Sequence, residues 1–218
     1  PAQISDGSAS VTIQNVASDN GNVTAIRGNS FYKIVNGPSW TEAESQANSL
    51  GGHLVTINDA EENQFLFNNF KEFDPIPEAW IGLTDKDKEG EWIWISGEPV
   101  TYLNWHQSEP NNQGGIEDFA EINLWTSNIY GYVNGVWNDD TLSGYSSGKG
   151  IAEIPLSYFS ISDLTITEGD SGNITINRTG GSNTVQNLTL ASNNGTALAG
   201  TDYTAINQTI TFAKGETS

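Results

Sequence analysis

Glu109-Pro110-Asn111 and, further along, Trp137-Asn138-Asp139 are the two strings that decide how this chain is read. Each offers a carboxylate and a side-chain amide, with a cyclic or bulky residue beside them to stiffen the turn. Oxygen-only donors are what a hard cation such as Ca²⁺ requires, at about 2.3–2.6 Å and with six to eight positions to fill. Glu117 lies between the strings and completes a set of five side chains, three of them anionic. Such a set leaves part of the coordination sphere open, and an open position on a surface Ca²⁺ is where a sugar diol can bind.

The surrounding sequence is acidic and free of cysteine. Its 218 residues carry a net charge of −19. Residues 1–155 hold 22 Asp and Glu against six Lys and Arg, and the last 63 residues hold five against two. Nucleic acid is disfavoured as a partner, because phosphate binding needs clustered Lys and Arg. An acidic surface alone serves solubility. The acids of 85–140, however, sit among Trp, Gly and Asn in loop-like sequence, where a cation site explains them better. Without Cys, disulfides, thiolate metal sites and Cys nucleophiles are excluded. No apolar run approaches the ~20 residues of a membrane span. No signal peptide is visible and the sequence starts at Pro1, so it reads as an excised piece of something longer. Six Asn-x-Ser/Thr sequons, at Asn22, Asn173, Asn177, Asn187, Asn194 and Asn207, fit chance in a chain so rich in Asn and Thr.

Residues 1–29 read as a leader with one or two short strands. Phe31 to Val35 alternates as a strand does. Ser39 opens a helix with Glu42 as its capping-box partner. Trp40, Ala43, Ala47 and Leu50 share one face of that helix, and Gly51-Gly52 stop it. Leu54 to Ile57 reads as a short apolar strand. Asp59 caps a second helix, again with a Glu at the third position (Glu62), and Phe65, Leu66 and Phe70 form its buried side. Trp80 to Leu83 reads as a core strand. Residues 84–118 then form a stretch of Gly, Asp, Pro and Asn, broken by Glu91-Trp92-Ile93-Trp94, and loops of this length are usually functional. Phe119 to Leu124 and Tyr132 to Trp137 are predicted as strands flanking a further turn, and Ile151 to Ile154 as a closing strand. After Pro155 short Thr/Ile/Leu strands alternate with Gly, Asn and Asp turns, the texture of an all-β sandwich.

Trp40 to Gly52, Trp80-Ile81-Gly82-Leu83, Glu109-Pro110-Asn111 and Trp137-Asn138-Asp139 occur in an order and spacing that resemble the C-type lectin-like domain. The likeness covers roughly residues 30–155. It implies an α+β C-type lectin-like fold with two helices, small sheets and a long calcium-binding loop region. This chain resembles a bacterial-style, cysteine-free version. By the same likeness Ala47 and Ala152 occupy the places of one family disulfide, and Phe119 and Leu142 those of the other. Apolar contacts would then replace two staples of about 2–4 kcal/mol each.

The C-terminal piece resembles a Calx-beta domain. The likeness is carried by Thr167-Glu168-Gly169-Asp170, Asn194-Gly195-Thr196-Ala197, Gly200-Thr201-Asp202-Tyr203 and Phe212 to Thr217. It implies a partial all-β sandwich, short of a strand or two and with an unpaired edge. Glu168 matches a calcium-ligand position of that family, whereas Asn194 stands where the calcium-binding members have Asp. The expected plan is thus a leader at 1–29, a C-type lectin-like domain at 30–155 and a partial Calx-beta domain at 156–218.

The lectin resemblance implies that Glu109, Asn111, Glu117, Asn138 and Asp139 hold the principal Ca²⁺ and also bind carbohydrate, with a cis peptide at Pro110. Each of two neighbouring hydroxyls would give a lone pair to the ion, donate to a carboxylate and accept from an Asn amide. The Glu-Pro-Asn order resembles the mannose-type class, which takes mannose, glucose, N-acetylglucosamine or an equivalent fucose diol. Asp85, Glu89, Asn112 and Asp118, sharing Glu117, match an auxiliary calcium site that would order the loop. Trp92, Trp94 and Trp105 read as core or loop anchors. His53 reads as structural, and His106, three residues before Glu109, lies within reach of a ligand although a structural role is its more ordinary reading.

A glycosidase would need Glu109 and Glu117 as an acid–base pair, but both are better used as metal ligands. The two His residues sit in no recognisable triad, so no enzyme is expected. The expectation is a calcium-dependent carbohydrate-binding adhesion module of a larger extracellular protein. Its partners would be glycans or polysaccharides, with other cell-surface proteins beside them and no direct membrane insertion. The alternative is a calcium-stabilised structural or protein-binding module of a large surface adhesin.

Overall fold

The computed structural model describes residues 9–12, 24–71, 78–126, 135–143, 148–165 and 170–218. They divide into two compact units, one of Gly21–Leu156 and one of Pro1–Asn20 with Ser157–Ser218. In chain order the strands are β1 (Ala9–Thr12), β2 (Thr24–Arg27), β3 (Ser30–Asn36), β4 (His53–Leu54), β5 (Glu78–Thr84), β6 (Ile93–Trp94), β7 (Phe119–Asn123), β8 (Trp137–Asp140), β9 (Lys149–Pro155), β10 (Ser157–Ile161), β11 (Ile176–Gly180), β12 (Gln186–Ser192) and β13 (Asn207–Phe212). Two helices, α1 (Trp40–Ser49) and α2 (Ala60–Phe70), follow β3 and β4 respectively.

The larger unit is built on one sheet of order β2-β3-β9-β5-β7-β8, with β4 added beside β9 and β6 beside β5. Its pairings are antiparallel except the single parallel contact of β5 with β9 at Trp80 and Gly150. Both helices begin where the capping residues predict. Ser39 Oγ accepts from Glu42 N at 3.3 Å and donates to the Glu42 carboxylate at 2.7 Å. Asp59 Oδ1 accepts from Glu62 N at 2.6 Å, and Glu62 Oε2 reaches back to Asn58 N at 3.0 Å. Trp40, Ala43 and Ala47 turn inward from α1 against Leu54, Trp80, Phe119 and Ala152. On α2 the buried apolar positions are Leu66, Phe67 and Phe70. Phe65, expected inside, lies half-buried with its ring edge-on to Tyr32 at 5.7 Å.

Several expectations are corrected. The strand expected over 54–57 stops after Leu54, although Val55, Thr56 and Ile57 are buried. Val55 N still donates to Ile151 O at 2.8 Å, whereas Thr56 N donates to the Glu153 carboxylate at 3.2 Å rather than to a strand carbonyl. Of the strand expected over 132–137, residues 132–134 lie outside the described residues, and of the described ones only Trp137 is in a strand, as the first residue of β8. Gly135, in the left-handed region at φ 76°, makes the turn before it, so Trp137-Asn138-Asp139 lies inside β8. Of the four positions matched to disulfides, Ala47, Ala152 and Phe119 share one buried cluster. Leu142 is instead 46% exposed, and Phe119 packs against Trp40 at 5.1 Å.

Two strands are described within the first 29 residues, and they join different sheets. Thr24–Arg27 pairs with β3, and Arg27 bonds Asp59 at 3.1 Å and approaches Glu62 at 3.6 Å, tying β2 to the start of α2. Ala9–Thr12 pairs instead with β12. The β1–β12 pairing spans so much sequence that it leaves no local trace. In the smaller unit β1-β12-β13 form one antiparallel sheet and β10-β11 a hairpin, and no helix occurs among its described residues. Ile176, Leu188, Leu190 and Phe212 make its core, with Phe159 against Phe212 at 5.2 Å. Asn194 Oδ1 accepts from Ala199 N and Tyr203 Oη, both at 2.8 Å, so this side chain braces a turn. Of the Thr167–Asp170 string, residues 167–169, including Glu168, lie outside the described residues.

Candidate functional site

The long segment between β5 and β7 is anchored by aromatic rings. Trp137 is fully buried, and the rings of Trp94, Tyr102 and Trp105 meet it edge-on at 5.8, 5.6 and 5.8 Å. Trp92 packs on Trp105 at 4.6 Å. The Trp137 indole N–H donates to Asn63 Oδ1 at 2.8 Å. Its backbone N donates to Asn104 O and its carbonyl accepts from His106 N, each at 2.8 Å. Trp92, Trp94 and Trp105 are therefore loop anchors, and Trp137 fixes where the next two residues stand. His53 Nδ1 bonds Leu54 O at 2.8 Å, a structural contact, and His106 Nδ1 is 3.4 Å from Ser108 Oγ.

The Glu109–Pro110 peptide is cis, as the lectin resemblance implies. Beyond it, Asp139 reaches across from β8. Its Oδ1 accepts from Asn111 N at 3.0 Å and its Oδ2 from Asn112 N at 2.7 Å. The Asn111 amide donates to the Glu109 carboxylate. Asn112 is in the left-handed region (φ 45°), which Asn tolerates because its short polar side chain bonds locally. There its Oδ1 accepts from Glu117 N at 3.1 Å, while Glu117 Oε2 accepts from Gln113 N at 2.6 Å. The segment from Glu109 to Glu117 is thus closed on itself and pinned to β8 through one carboxylate.

The acids in this knot repel one another. Partial burial pushes the Glu109 carboxyl up, and Asp139 beside it and Glu117 push further, against the Asn111 hydrogen bond. Glu117 is likewise raised by burial, opposed by Gln113 N–H, with Asp139 and Asp140 adding to the rise. On the neighbouring turn Asp85 is raised by burial and by Asp118 and Asp139, with Gly90 N–H opposing. Glu89 is raised by burial and then by Asp85, Asp118 and Asp139, against a hydrogen bond with Asn112. The backbone holds this second group together: Thr84 Oγ1 and Asp85 N both donate to Asp118 O, at 2.7 and 3.2 Å. Asp85 is only 2% exposed, and its Oδ1 has no hydrogen-bond partner.

Two features depart from expectation. Among the described residues no three His, Asp or Glu side chains surround one metal-sized position. The carboxylates of Asp139 and Glu117 are held by backbone N–H groups instead. Asn138 is also turned away from its neighbour. Side chains alternate along a strand, so Asn138 and Asp139 face opposite sides of the sheet. The Asn138 amide donates to Glu121 Oε1 at 3.1 Å across the β7–β8 pair. Sequence reading missed Glu121. Its signal was a carboxylate inside the apolar run Phe119-Ala120-Glu121-Ile122, where an unpaired charge is disfavoured.

The lectin C-type domain model matches residues 36–145, just over half of the chain. The chain belongs to the C-type lectin domain family. A lectin of Pleurodeles waltl is 37% identical over 116 residues, covering 51% of this chain and 63% of that protein. The chain thus spans less than two thirds of that relative's length. Among solved structures, the C-type lectin CEL-I from Cucumaria echinata aligns at TM-score 0.52 and 27% identity, over 60% of this chain and 94% of that one. The cow CD23 carbohydrate-recognition domain, crystallised in the presence of a GlcNAc2Man3 oligosaccharide, aligns at TM-score 0.51 and 27% identity, over 65% and 97%. C-type lectin domains are binding modules and not enzymes, which agrees with the reading that Glu109 and Glu117 are no acid–base pair. Among the described residues no helix is long and apolar enough to cross a membrane.

Proposed function

We propose that this chain is a calcium-dependent carbohydrate-binding module of an extracellular adhesion protein. The observation that carries the reading is the clamp of Asp139 on Asn111 N and Asn112 N beyond a cis Glu109–Pro110 peptide. It gathers Glu109, Glu117 and Asp139 close enough to raise the Glu109 carboxyl. Such mutual repulsion is what a cation relieves.

The donor set suits a hard divalent ion. Glu109, Asn111, Glu117, Asn138 and Asp139 offer only oxygens as ligands. Each backbone-bonded carboxylate oxygen keeps a second lone pair. At the auxiliary group, Asp85 Oδ1 is buried without a partner, which favours an ion shared among Asp85, Glu89, Asn112, Glu117 and Asp118. Ca²⁺ at the principal site would act as a Lewis acid toward the oxygens of a vicinal diol. Glu109 and Glu117 would accept hydrogen bonds from the two hydroxyls, and the amides of Asn111 and Asn138 would donate to the same oxygens. The Glu-Pro-Asn order favours mannose, glucose, N-acetylglucosamine or a fucose diol, and the oligosaccharide present with the cow CD23 domain falls in that class. One such site binds with Kd on the order of millimolar, about −4 kcal/mol, so adhesion relies on repetition.

The lectin domain spans 30–155 in this reading, and 156–218 is a partial Calx-beta domain. The orphaned Asp85 oxygen supports the second reading, a calcium-stabilised structural or protein-binding module. A glycan array probed with and without EDTA separates the two. Retention of mannose-type glycans only with calcium supports the lectin. A chain that calcium stabilises but that retains no glycan is the structural module.

A further inference from the structure

Glu121 sits in the middle of β7 with Trp80 on one side and Asn138 on the other, all three on the sheet face that carries α1. It is 2% exposed, and its Oε2 has no hydrogen-bond partner. Glu78 and Asp140, two residues along from those neighbours, put two more carboxylates on the same face. A carboxylate in such surroundings weakens the fold, because desolvation and like charge both oppose it. An apolar residue of similar volume would fill the place with less strain on the folded state. Its one directed contact is the acceptance of the Asn138 amide at 3.1 Å.

That contact has a geometric consequence. An Asn amide is a planar fork with a donor on one prong and an acceptor on the other. Here the Nδ2 prong meets Glu121 Oε1, which leaves Oδ1 turned the other way. A flipped amide would offer N–H groups to a cation and be repelled. We propose that Glu121 is a positioning residue, which holds the Asn138 amide nitrogen toward β7 and so turns its oxygen outward over the edge of β8, the outermost strand of the sheet order, where one cation can be reached from both faces. The role rests on the calcium-lectin reading given above, and it explains why a buried acid stands in an apolar strand. Partners of this outer kind, when removed, reduce metal affinity by about 10–100-fold.

The test uses the whole chain, with Glu121→Leu and Glu121→Gln. Calcium affinity is measured by calorimetry, and the melting temperature of each protein is measured in EDTA. Glu121→Leu, which removes the acceptor and the buried charge, is expected to bind calcium about 10–100-fold more weakly. Its ion-free melting temperature is expected to equal or exceed that of the parent. Glu121→Gln, whose carbonyl can still accept from Asn138, is expected to stay within a few-fold of the parent in calcium affinity. Unchanged calcium affinity in Glu121→Leu overturns the proposal. So does a parallel loss of ion-free stability, which marks a structural role, and so does an equal loss in Glu121→Gln, which assigns the effect to charge. A parent chain that takes up no calcium overturns the calcium reading itself, a result distinct from all of these.

Discussion

Asp139→Asn separates what the Asp139 carboxylate does for the loop from what it does for a cation. Asp139 accepts from Asn111 N at 3.0 Å and from Asn112 N at 2.7 Å, and it is 1% exposed. Asn keeps the shape but turns an NH2 group onto one of those N–H donors. One part-buried donor then loses its partner, at a cost of about 1 kcal/mol. Against this, the substitution removes a negative charge that raises Glu109, Glu117 and Asp85. Relief of such partly exposed repulsions is worth about 1 kcal/mol or less per pair. The two effects oppose each other, so the ion-free variant is expected within about 2 kcal/mol of the parent. With calcium the outcome differs. A ligand at a hundred times its Kd stabilises the folded chain by about 2.7 kcal/mol, and a variant lacking one anionic ligand forfeits most of that increment. Thermal unfolding of both proteins in EDTA and in excess calcium reads the difference directly. If Asp139→Asn keeps the parent's full calcium increment, Asp139 is a loop clamp and no ligand, and the reasoning fails.

Trp137→Phe removes the indole N–H that donates to Asn63 Oδ1 at 2.8 Å, and Asn63 is buried, so the orphaned oxygen alone destabilises by about 1–3 kcal/mol. Urea unfolding should show that loss together with weaker calcium binding, because Asn138 and Asp139 follow the indole in the chain. Gly52→Ala places a Cβ 2.0 Å from the Glu153 carbonyl oxygen, and a loss of at least about 3 kcal/mol is expected in urea. Gly90→Ala, at φ 77° with nothing within 4 Å, should lose only about 1–2 kcal/mol in the same assay. The ion-free chain should also respond unusually to pH. Glu109, Glu117, Asp85 and Glu121 all have raised carboxyls, so the folded state holds their protons more tightly than the unfolded chain. Their contribution is present in full below the ordinary carboxylate range and is lost as pH rises through the raised values. The melting temperature in EDTA should therefore climb as pH falls from neutrality toward that range, and a decline over that interval would contradict the electrostatics.

What could be read from the sequence was local. Ser39 with Glu42, and Asp59 with Glu62, are capping pairs three residues apart, and both helices start there. Glu109-Pro110-Asn111 and Trp137-Asn138-Asp139 carried the site because each is contiguous, and the clamp between them joins the two strings already singled out. What escaped depends on pairing across distance. The strand placed at 132–137 ended where β8 begins, which hid that Asn138 and Asp139 point to opposite faces. Glu121 matters only because Asn138 is its partner in register. Ala9–Thr12 and Thr24–Arg27 lie close in sequence yet join different sheets, since their partners sit at 189–192 and 30–33. Leu142 looked like an apolar stand-in for a disulfide, but Phe119 found Trp40 instead.

The most direct measurement is a calorimetric titration of mannose into the calcium-loaded chain, repeated after EDTA has stripped the metal. Saturable binding with Kd on the order of millimolar, lost on stripping and restored by added calcium, is the predicted result. Equal uptake of mannose by the stripped protein would contradict the account.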